Sequence, residues 1–310
     1  MMRLPDAPTD EAYAAISRDD PRLLAGAHEV AARHGVAGPC ERFAAGSLPV
    51  FAVGAEHVVK LYPPWDAAAA AAEHAALRAV DARLPIPTPR PYAAGELDGW
   101  RYLVMARLRG RGLHEAWPEL AAPDQEALVE QLGAATAALH ALAPATVDVG
   151  VPRPDWPAFL AAQRAGCVDR QRGRGLAPAW LDQVSAFLAA APLAAPAAPA
   201  LLHTELMREH LLVAVDAAGR PRLTGLIDFE PAMVGAPSYD LASVAVFVTA
   251  GEPRLVRRFV AGYGHAPAAR EVMAYLLLHR YSSLPWYLER VPPPPGVTTL
   301  EQLADAWWPT

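Results

Sequence analysis

The hydrophobic period changes along this chain, and that change limits the folds open to it. Between Arg42 and Met105 the apolar residues fall into short β-type runs: Pro49 to Val53, His57 to Tyr62, and Trp100 to Met105. Gly46-Ser47 and Gly54-Ala55 supply turns on either side of the first run. Within His57 to Tyr62 the alternation puts Val58, Lys60 and Tyr62 on one face and Val59 and Leu61 on the other. Asp66 is expected to cap an alanine-rich helix that runs to about Val80 and carries Glu73, and the proline-rich Leu84 to Pro91 ends it. Residues 1–35 read as helical, with Pro21 and Gly35 as breakers. Beyond Met105 the pattern is mainly helical: Leu128, Leu132 and Leu139 mark one helix over Asp124 to Leu142, and Trp156 to Ala165 and Pro178 to Ala190 are two more. The exceptions are two short strands, Leu211 to Val215 and Leu223 to Ile227, joined by a turn-rich segment. Helices are expected from there to the end, with Pro292 to Pro295 as a rigid spacer. A β-rich first third followed by a helical remainder predicts an α+β, bilobal chain with a cleft between the lobes, residues 1–105 forming the first and 106–310 the second.

Composition narrows the function. A net charge of −6 argues against a nucleic-acid footprint, which needs concentrated positive charge. Two cysteines, Cys40 and Cys167, make no disulfide framework and suit a reducing compartment. The first residues lack the apolar core of a secretory signal. The longest apolar run, Ala186 to Leu202, is interrupted by Pro192, Pro196 and Pro199, so an irregular connection is expected there instead of a membrane span. The expectation is a soluble, cytoplasmic protein. Of 27 basic side chains only Lys60 is a lysine, and asparagine does not occur. Where arginine has replaced lysine so thoroughly, the one survivor marks a place where a compact ammonium is needed and a broad guanidinium will not do.

The densest chemistry lies in Leu201 to Val213 and Leu223 to Glu230. If the two strands form a hairpin with residue 211 opposite 227 and 215 opposite 223, His210 and Asp228 come side by side at its open end. Glu205 stands in the loop entering the first strand. An imidazole and a carboxylate so placed can share a metal ion, leaving Glu205 free to act as a base.

The pattern His203-x-Glu205-x4-His210, a hairpin, Ile227-Asp228-Phe229, and then Tyr239-Asp240-Leu241-Ala242 resembles the aminoglycoside phosphotransferase superfamily, from roughly Phe43 to the C-terminus. The general layout is closest to hygromycin-type antibiotic phosphotransferases. The resemblance implies a protein kinase-like fold and transfer of phosphate from ATP or GTP, with Mg²⁺, to a hydroxyl of an antibiotic, conferring resistance. By the same resemblance Lys60 would contact the α- and β-phosphates, and Glu73 would pair with it. The Gly46-Ser47 turn would cover the phosphates, and Leu103 to Met105 would present backbone groups to the nucleobase. Asp228 and His210 would hold the metal, and Glu205 would deprotonate the acceptor. Asp240 and His203 would brace the loop. The superfamily pattern reads His-Gly-Asp-x4-Asn, so Thr204, Glu205 and His210 all depart from it. Glu has similar basicity to Asp. Imidazole suits magnesium less well than an amide oxygen, although macrolide phosphotransferases of the superfamily also carry His there.

Residues 200–310 hold 11 acidic and 9 basic side chains, too near balance for a pocket that matches a polycation. An acceptor of low charge is therefore expected: a hygromycin-like aminocyclitol or a sugar-bearing nucleoside antibiotic such as capuramycin. Three alternatives stay open: a nucleotide-binding protein impaired in catalysis, a choline- or homoserine-type metabolite kinase, and a metal-dependent hydrolase using His203, Glu205, His210 and Asp228. The aromatic group Tyr281, Trp286, Tyr287, Trp307 and Trp308 reads equally as C-terminal core or substrate wall. Arg208 and Glu209 could touch substrate or solvent, and the arginines of 107–111 and 170–174 are read as solvated. Replacing Lys60 or Asp228 by Ala is expected to lower turnover by orders of magnitude and leave the fold intact.

Overall fold

The computed structural model describes residues 3–147, 150–191, 193, 195–196 and 198–309. Its chain begins with two helices, α1 (Asp10–Ala14) and α2 (Pro21–Arg33). Pro21 opens α2 instead of interrupting a longer helix: it stands in the first turn, where its missing N–H costs nothing, and the Asp20 carboxylate accepts from Arg22 N at 2.9 Å. A five-stranded antiparallel sheet follows, made of β1 (Cys40–Arg42), β2 (Val50–Val53), β3 (His57–Tyr62), β4 (Pro91–Leu97) and β5 (Trp100–Ala106) in the order β1-β2-β3-β5-β4. Helix α3 (Ala67–Val80) lies between β3 and β4 in sequence.

The alternation read from β3 sorts the two faces. Val59 and Leu61 pack with Phe51, Trp100, Val104 and the α2 residues Leu23 and Val30, whereas Tyr62, Leu103 and Met105 pack with Ala76, Leu77 and Val80 of α3. Strand β4 was not legible, because proline and glycine mask it. Pro91 opens this edge strand, where no ladder donor is needed, and Gly95 leaves room for Tyr102, whose hydroxyl would stand 2.3 Å from a Cβ there. Asp66 precedes α3 as expected, but its side chain makes no capping hydrogen bond.

The remainder is mostly helical: β6 (Arg111–Gly112), α4 (Leu113–Ala116), α5 (Ala122–His140), α6 (Trp156–Gly173) and α7 (Pro178–Ala190) lead to β7 (Ala200–Leu202). The run from Ala186 is thus helical as far as Ala190 before the connection begins, and Pro192 lies outside the described residues. Next come β8 (Leu211–Val215), β9 (Pro221–Leu226), β10 (Met233–Gly235), α8 (Ser238–Ser243) with a π-helical turn at Val244–Val248, α9 (Pro253–Tyr263), α10 (Ala269–Leu278), α11 (Leu284–Arg290) and α12 (Leu300–Trp307). Helices α5 and α9 touch backbone to backbone: a Cβ on Gly133 would stand 2.3 Å from the Phe259 carbonyl, and one on Gly262 2.1 Å from that of Glu130. Trp307 and Trp308 are buried in the C-terminal core, whereas Tyr281 and Trp286 are 49% and 45% exposed, which divides the aromatic group in two.

The β8–β9 hairpin forms in a different register from the expected one. Leu211 pairs with Leu226 and Val215 with Pro221, with a β-bulge between Leu212 and Val213. The turn is tighter than the composition suggested, because the Asp216 carboxylate accepts from Ala218 N at 2.9 Å and Arg220 N at 3.0 Å. Among the described residues no helix is long and apolar enough to cross a membrane.

Candidate active site

Lys60 sits on the α3-facing side of β3 and is 6% exposed. Its Nζ donates to Glu73 Oε2 at 2.7 Å and to Asp228 Oδ1 at 2.7 Å, so one ammonium links the five-stranded sheet, α3 and the loop after β9. Burial opposes its charge, but the two carboxylates outweigh that and hold its pKa well above the ordinary lysine range. Glu73 is 1% exposed and accepts a second hydrogen bond from the Tyr62 hydroxyl at 2.5 Å. Burial and the Glu73 carboxylate keep that phenol protonated. Asp228 is likewise opposed by burial, yet the neighbouring Lys60 ammonium holds its carboxyl well below the usual range.

The loop between β7 and β8 carries Glu205 and is built around Asp240 of α8. The fully buried Asp240 carboxylate accepts from the backbone N–H of His203 at 3.0 Å and of Thr204 at 2.5 Å, and His140 Nε2 lies 3.0 Å from it. Thr204 has φ +71°, a left-handed conformation costing a non-glycine residue about 1–2 kcal/mol. Three contacts hold it there: the Asp240 bond, its hydroxyl on the Pro231 carbonyl at 3.2 Å, and His279 Nε2 on its own carbonyl at 3.1 Å. His203 is buried, with Nε2 on the Ile227 carbonyl at 3.0 Å and Nδ1 accepting from Glu205 N at 3.3 Å. Burial lowers the pKa of both His203 and His279 to about 4, so both are neutral.

At the open end of the hairpin, His210 and Asp228 meet despite the altered register, since Ile227 N donates to the His210 carbonyl at 3.0 Å. His210 Nδ1 lies 2.9 Å from the Glu205 carbonyl, which fixes it as the N–H side of the ring and turns Nε2 toward Asp228 Oδ2 at 3.3 Å. Two acceptors facing each other at that distance call for a cation or a proton. Asp228 itself has φ +69°, a second left-handed residue at the same place. Among the described residues no cluster of three or more His, Cys, Asp or Glu could hold a metal by itself. Glu205 lines a cavity of about 250 Å³ together with Ser243, Phe247, Tyr281, Trp286 and Tyr287. Burial raises its pKa, with His210 opposing.

Residues 39–276 match the model of the APH family, described as the phosphotransferase enzyme family. The chain belongs to that family. This phosphotransferase has no match among curated proteins. Its fold is shared with a GDP complex of wild-type aminoglycoside 2'-phosphotransferase-IIIa, at TM-score 0.69 and 18% identity over 92% of this chain and 98% of that one. It is also shared with apo macrolide 2'-phosphotransferase MphH from Brachybacterium faecium, at TM-score 0.61 and 22% identity over 93% and 98%. A third similar structure is APH(3'')-Id from Streptomyces rimosus with ADP and streptomycin, at TM-score 0.58 and 21% identity over 83% and 97%. The bilobal, protein kinase-like α+β fold expected from the motif set is the fold of this phosphotransferase.

The phosphotransferase brings Lys60, Glu73, Glu205, His210 and Asp228 together around one cleft. Leu103 and Met105 do not fit the role expected of them. Both lie in β5, the central neighbour of β3 and β4: Leu103 pairs with Lys60 and Ala94, and Met105 with Val58 and Pro91. Their backbone groups belong to the sheet, and their side chains to its core. Ser47 lies in an exposed loop with Gly46, just before β2. Arg208 is packed, not solvated: its guanidinium lies 3.6 Å above the Trp117 ring, and Glu209 pairs with Arg290 at 3.2 Å. Arg170 and Arg174 tie α6 to the Leu277, Tyr281 and Ser282 carbonyls, and Arg111 pairs with Glu119 at 2.6 Å, so these arginines are not simply solvated either.

Four site residues escaped sequence reading. Tyr62 and His279 carry no motif signal. Glu230, two residues after Asp228, and Asp66 both feel the Lys60 charge; burial outweighs it and raises them to about 7 and about 6. The spacing to Asp228 was the only signal that could have found Glu230.

Proposed function

We propose that this phosphotransferase moves the γ-phosphate of ATP or GTP to a hydroxyl of an antibiotic and so confers resistance, with residues 1–105 as the nucleotide lobe and 106–310 as the catalytic lobe. The observation that carries this reading is the Lys60 ammonium held 2.7 Å from both Glu73 and Asp228. It puts a fixed positive charge beside an ionised carboxylate at the junction of sheet and hairpin, the pairing that phosphoryl transfer uses to bind a triphosphate. Glu73 and Tyr62 hold the ammonium in place, while Lys60 binds the α- and β-phosphates. The loop at Gly46-Ser47 covers them. The nucleobase meets the segment after β5, beginning at Arg107, because Leu103 and Met105 are committed to the sheet.

Asp228 and His210 fit a Mg²⁺ ion: the ring is anchored through Nδ1, its other nitrogen faces the carboxylate, and phosphate oxygens and water can complete the shell that magnesium prefers. When bound, the ion neutralises phosphate charge. Glu205 takes the proton of the acceptor hydroxyl, and its raised pKa makes it a better base than an exposed carboxylate. The hydrolase reading loses support, since both ring nitrogens of His203 are engaged within the fold.

The acceptor site is the cavity beside Glu205. Its described lining holds only two charged side chains, Glu205 and Arg174, and its walls are aromatic. One carboxylate cannot match several ammonium groups, whereas rings suit the flat faces of sugars and bases. The cavity favours a hydroxyl-bearing antibiotic of low charge, of the hygromycin or sugar-bearing nucleoside type. The test is mass spectrometry of hygromycin B, capuramycin, erythromycin and kanamycin incubated with the protein, Mg²⁺ and either ATP or GTP. A gain of one phosphate on a compound of low charge is expected. Transfer to kanamycin alone would overturn the acceptor assignment. Nucleotide binding with no transfer to any of the four would support the catalytically impaired form.

A further inference from the structure

The segment before the family-matched residues 39–276 grips the loop between β1 and β2. Arg18, between α1 and α2, donates through Nη1 to the Gly46 carbonyl at 2.9 Å. Through Nη2 it donates to the Ala44 carbonyl at 2.7 Å and, more weakly, to that of Phe43 at 3.5 Å. Tyr13 of α1 donates its hydroxyl to the Ser47 carbonyl at 2.5 Å. The grip is itself anchored. The Tyr13 ring packs edge-on against Trp100 at 6.1 Å between centroids, and the Arg42 guanidinium donates to the Arg18 carbonyl.

A trans peptide unit holds its C=O and the next N–H in opposite directions. Carbonyls 43, 44, 46 and 47 all point at Arg18 and Tyr13, so the amides of Ala44, Ala45, Ser47 and Leu48 point away from them. Among the described residues those four amides have no hydrogen-bond acceptor. Leu48 packs with Tyr62, Leu103 and Met105, on the Lys60 face of the sheet, and Pro49 accepts from Leu61 N at 2.9 Å beside the lysine. A run of unpaired amides next to a fixed ammonium is a concavity for phosphate oxygens.

We propose that Arg18 and Tyr13 are positioning residues that hold the loop's carbonyls outward and thereby present its amides to the nucleotide's phosphates. The proposal rests on the nucleotide reading of the Lys60 site. It explains why a guanidinium serves at position 18: a planar fork can bond several carbonyls at once, where an ammonium is a single point.

The test compares wild type with Arg18→Ala, Arg18→Lys and Tyr13→Phe, using Lys60→Ala as a control. Backbone NMR order parameters of residues 44–48 are read in the nucleotide-free protein, and affinities for GDP and for ATP with Mg²⁺ are read by calorimetry. In Arg18→Ala the order parameters are expected to fall from the rigid range toward about 0.6 or below. Nucleotide affinity is expected to fall roughly three- to tenfold, with smaller effects in Arg18→Lys and Tyr13→Phe. Unchanged order parameters would overturn the grip. A loosened loop with unchanged affinity would overturn its role toward phosphate. If Lys60→Ala weakens nucleotide binding and Arg18→Ala does not, only this proposal fails; if wild type binds neither nucleotide, the reading beneath it fails as well.

Discussion

Replacing Lys60 by Met removes a buried cation that two carboxylates share. In wild type its ammonium lies 2.7 Å from Glu73 and 2.7 Å from Asp228. Asp228 retains 32% side-chain exposure and can recover water, but Glu73 retains 2% and keeps only the Tyr62 hydroxyl as a partner. Breaking a buried pair by removing one member costs about 3–5 kcal/mol, a large share of the roughly 5–15 kcal/mol that holds a domain together. The expectation from sequence, that Lys60 is a purely chemical residue whose loss leaves the fold intact, is therefore revised: Lys60 is a structural tie as well. The sign of the pH effect follows. Without the ammonium, the Glu73 carboxyl is held above its unfolded value, so the folded state keeps a proton that the unfolded state has released. Stability then falls as pH rises from about 4.3. Urea unfolding of Lys60→Met at pH 5 and pH 8 should show the larger deficit at pH 8. Adding Glu73→Gln should recover part of the loss, giving a double-mutant coupling above about 1 kcal/mol. Equal deficits at both pH values, or strictly additive losses, would refute the buried-pair account.

The other expectations concern the loop and its surroundings. Glu205→Gln removes the acceptor of the hydroxyl proton while conserving shape. Turnover should fall by roughly 10²- to 10⁴-fold with nucleotide affinity nearly unchanged, as measured by steady-state kinetics beside calorimetry. Asp240→Ala strips three hydrogen bonds from a fully buried carboxylate and frees the strained Thr204. It should cost about 3–5 kcal/mol in urea titrations, and wild-type stability would show that the brace is dispensable. His203 and His279, lowered to about 4, bind protons more tightly when unfolded, so their stability is present at neutral pH and drains as pH falls from 6.5 toward 4. Glu230, raised to about 7, works in the opposite direction between pH 4.5 and 7, favouring the folded state as pH falls. Glu230→Gln removes that offset, and its stability should drop more steeply than that of wild type between pH 7 and pH 5.

The chemistry was legible wherever short-range pattern carried it. One lysine in a chain rich in arginine, an acidic residue inside an alanine helix, and an aspartate after two apolar residues named Lys60, Glu73 and Asp228 before any fold was in view. Alternation fixed which face of β3 the lysine takes, and helical spacing placed α5 and α7 to within a few residues. Strand β4 escaped because its proline and glycine are acceptable only at an edge beside Tyr102, a tertiary fact. The hairpin register escaped because a side chain, Asp216, decides how tightly the turn closes.

The sequence by itself thus determined which groups carry charge and on which face of a local element each stands, since those follow from residue type and backbone period. Only the tertiary structure decided what they meet. Lys60 and Asp228 are 168 positions apart, and a bond of 2.7 Å between them depends on how sheet and hairpin pack. The same holds for the burial that neutralises His203 and His279 and raises Glu205, Glu230 and Asp66, because desolvation belongs to the surroundings and not to the residue.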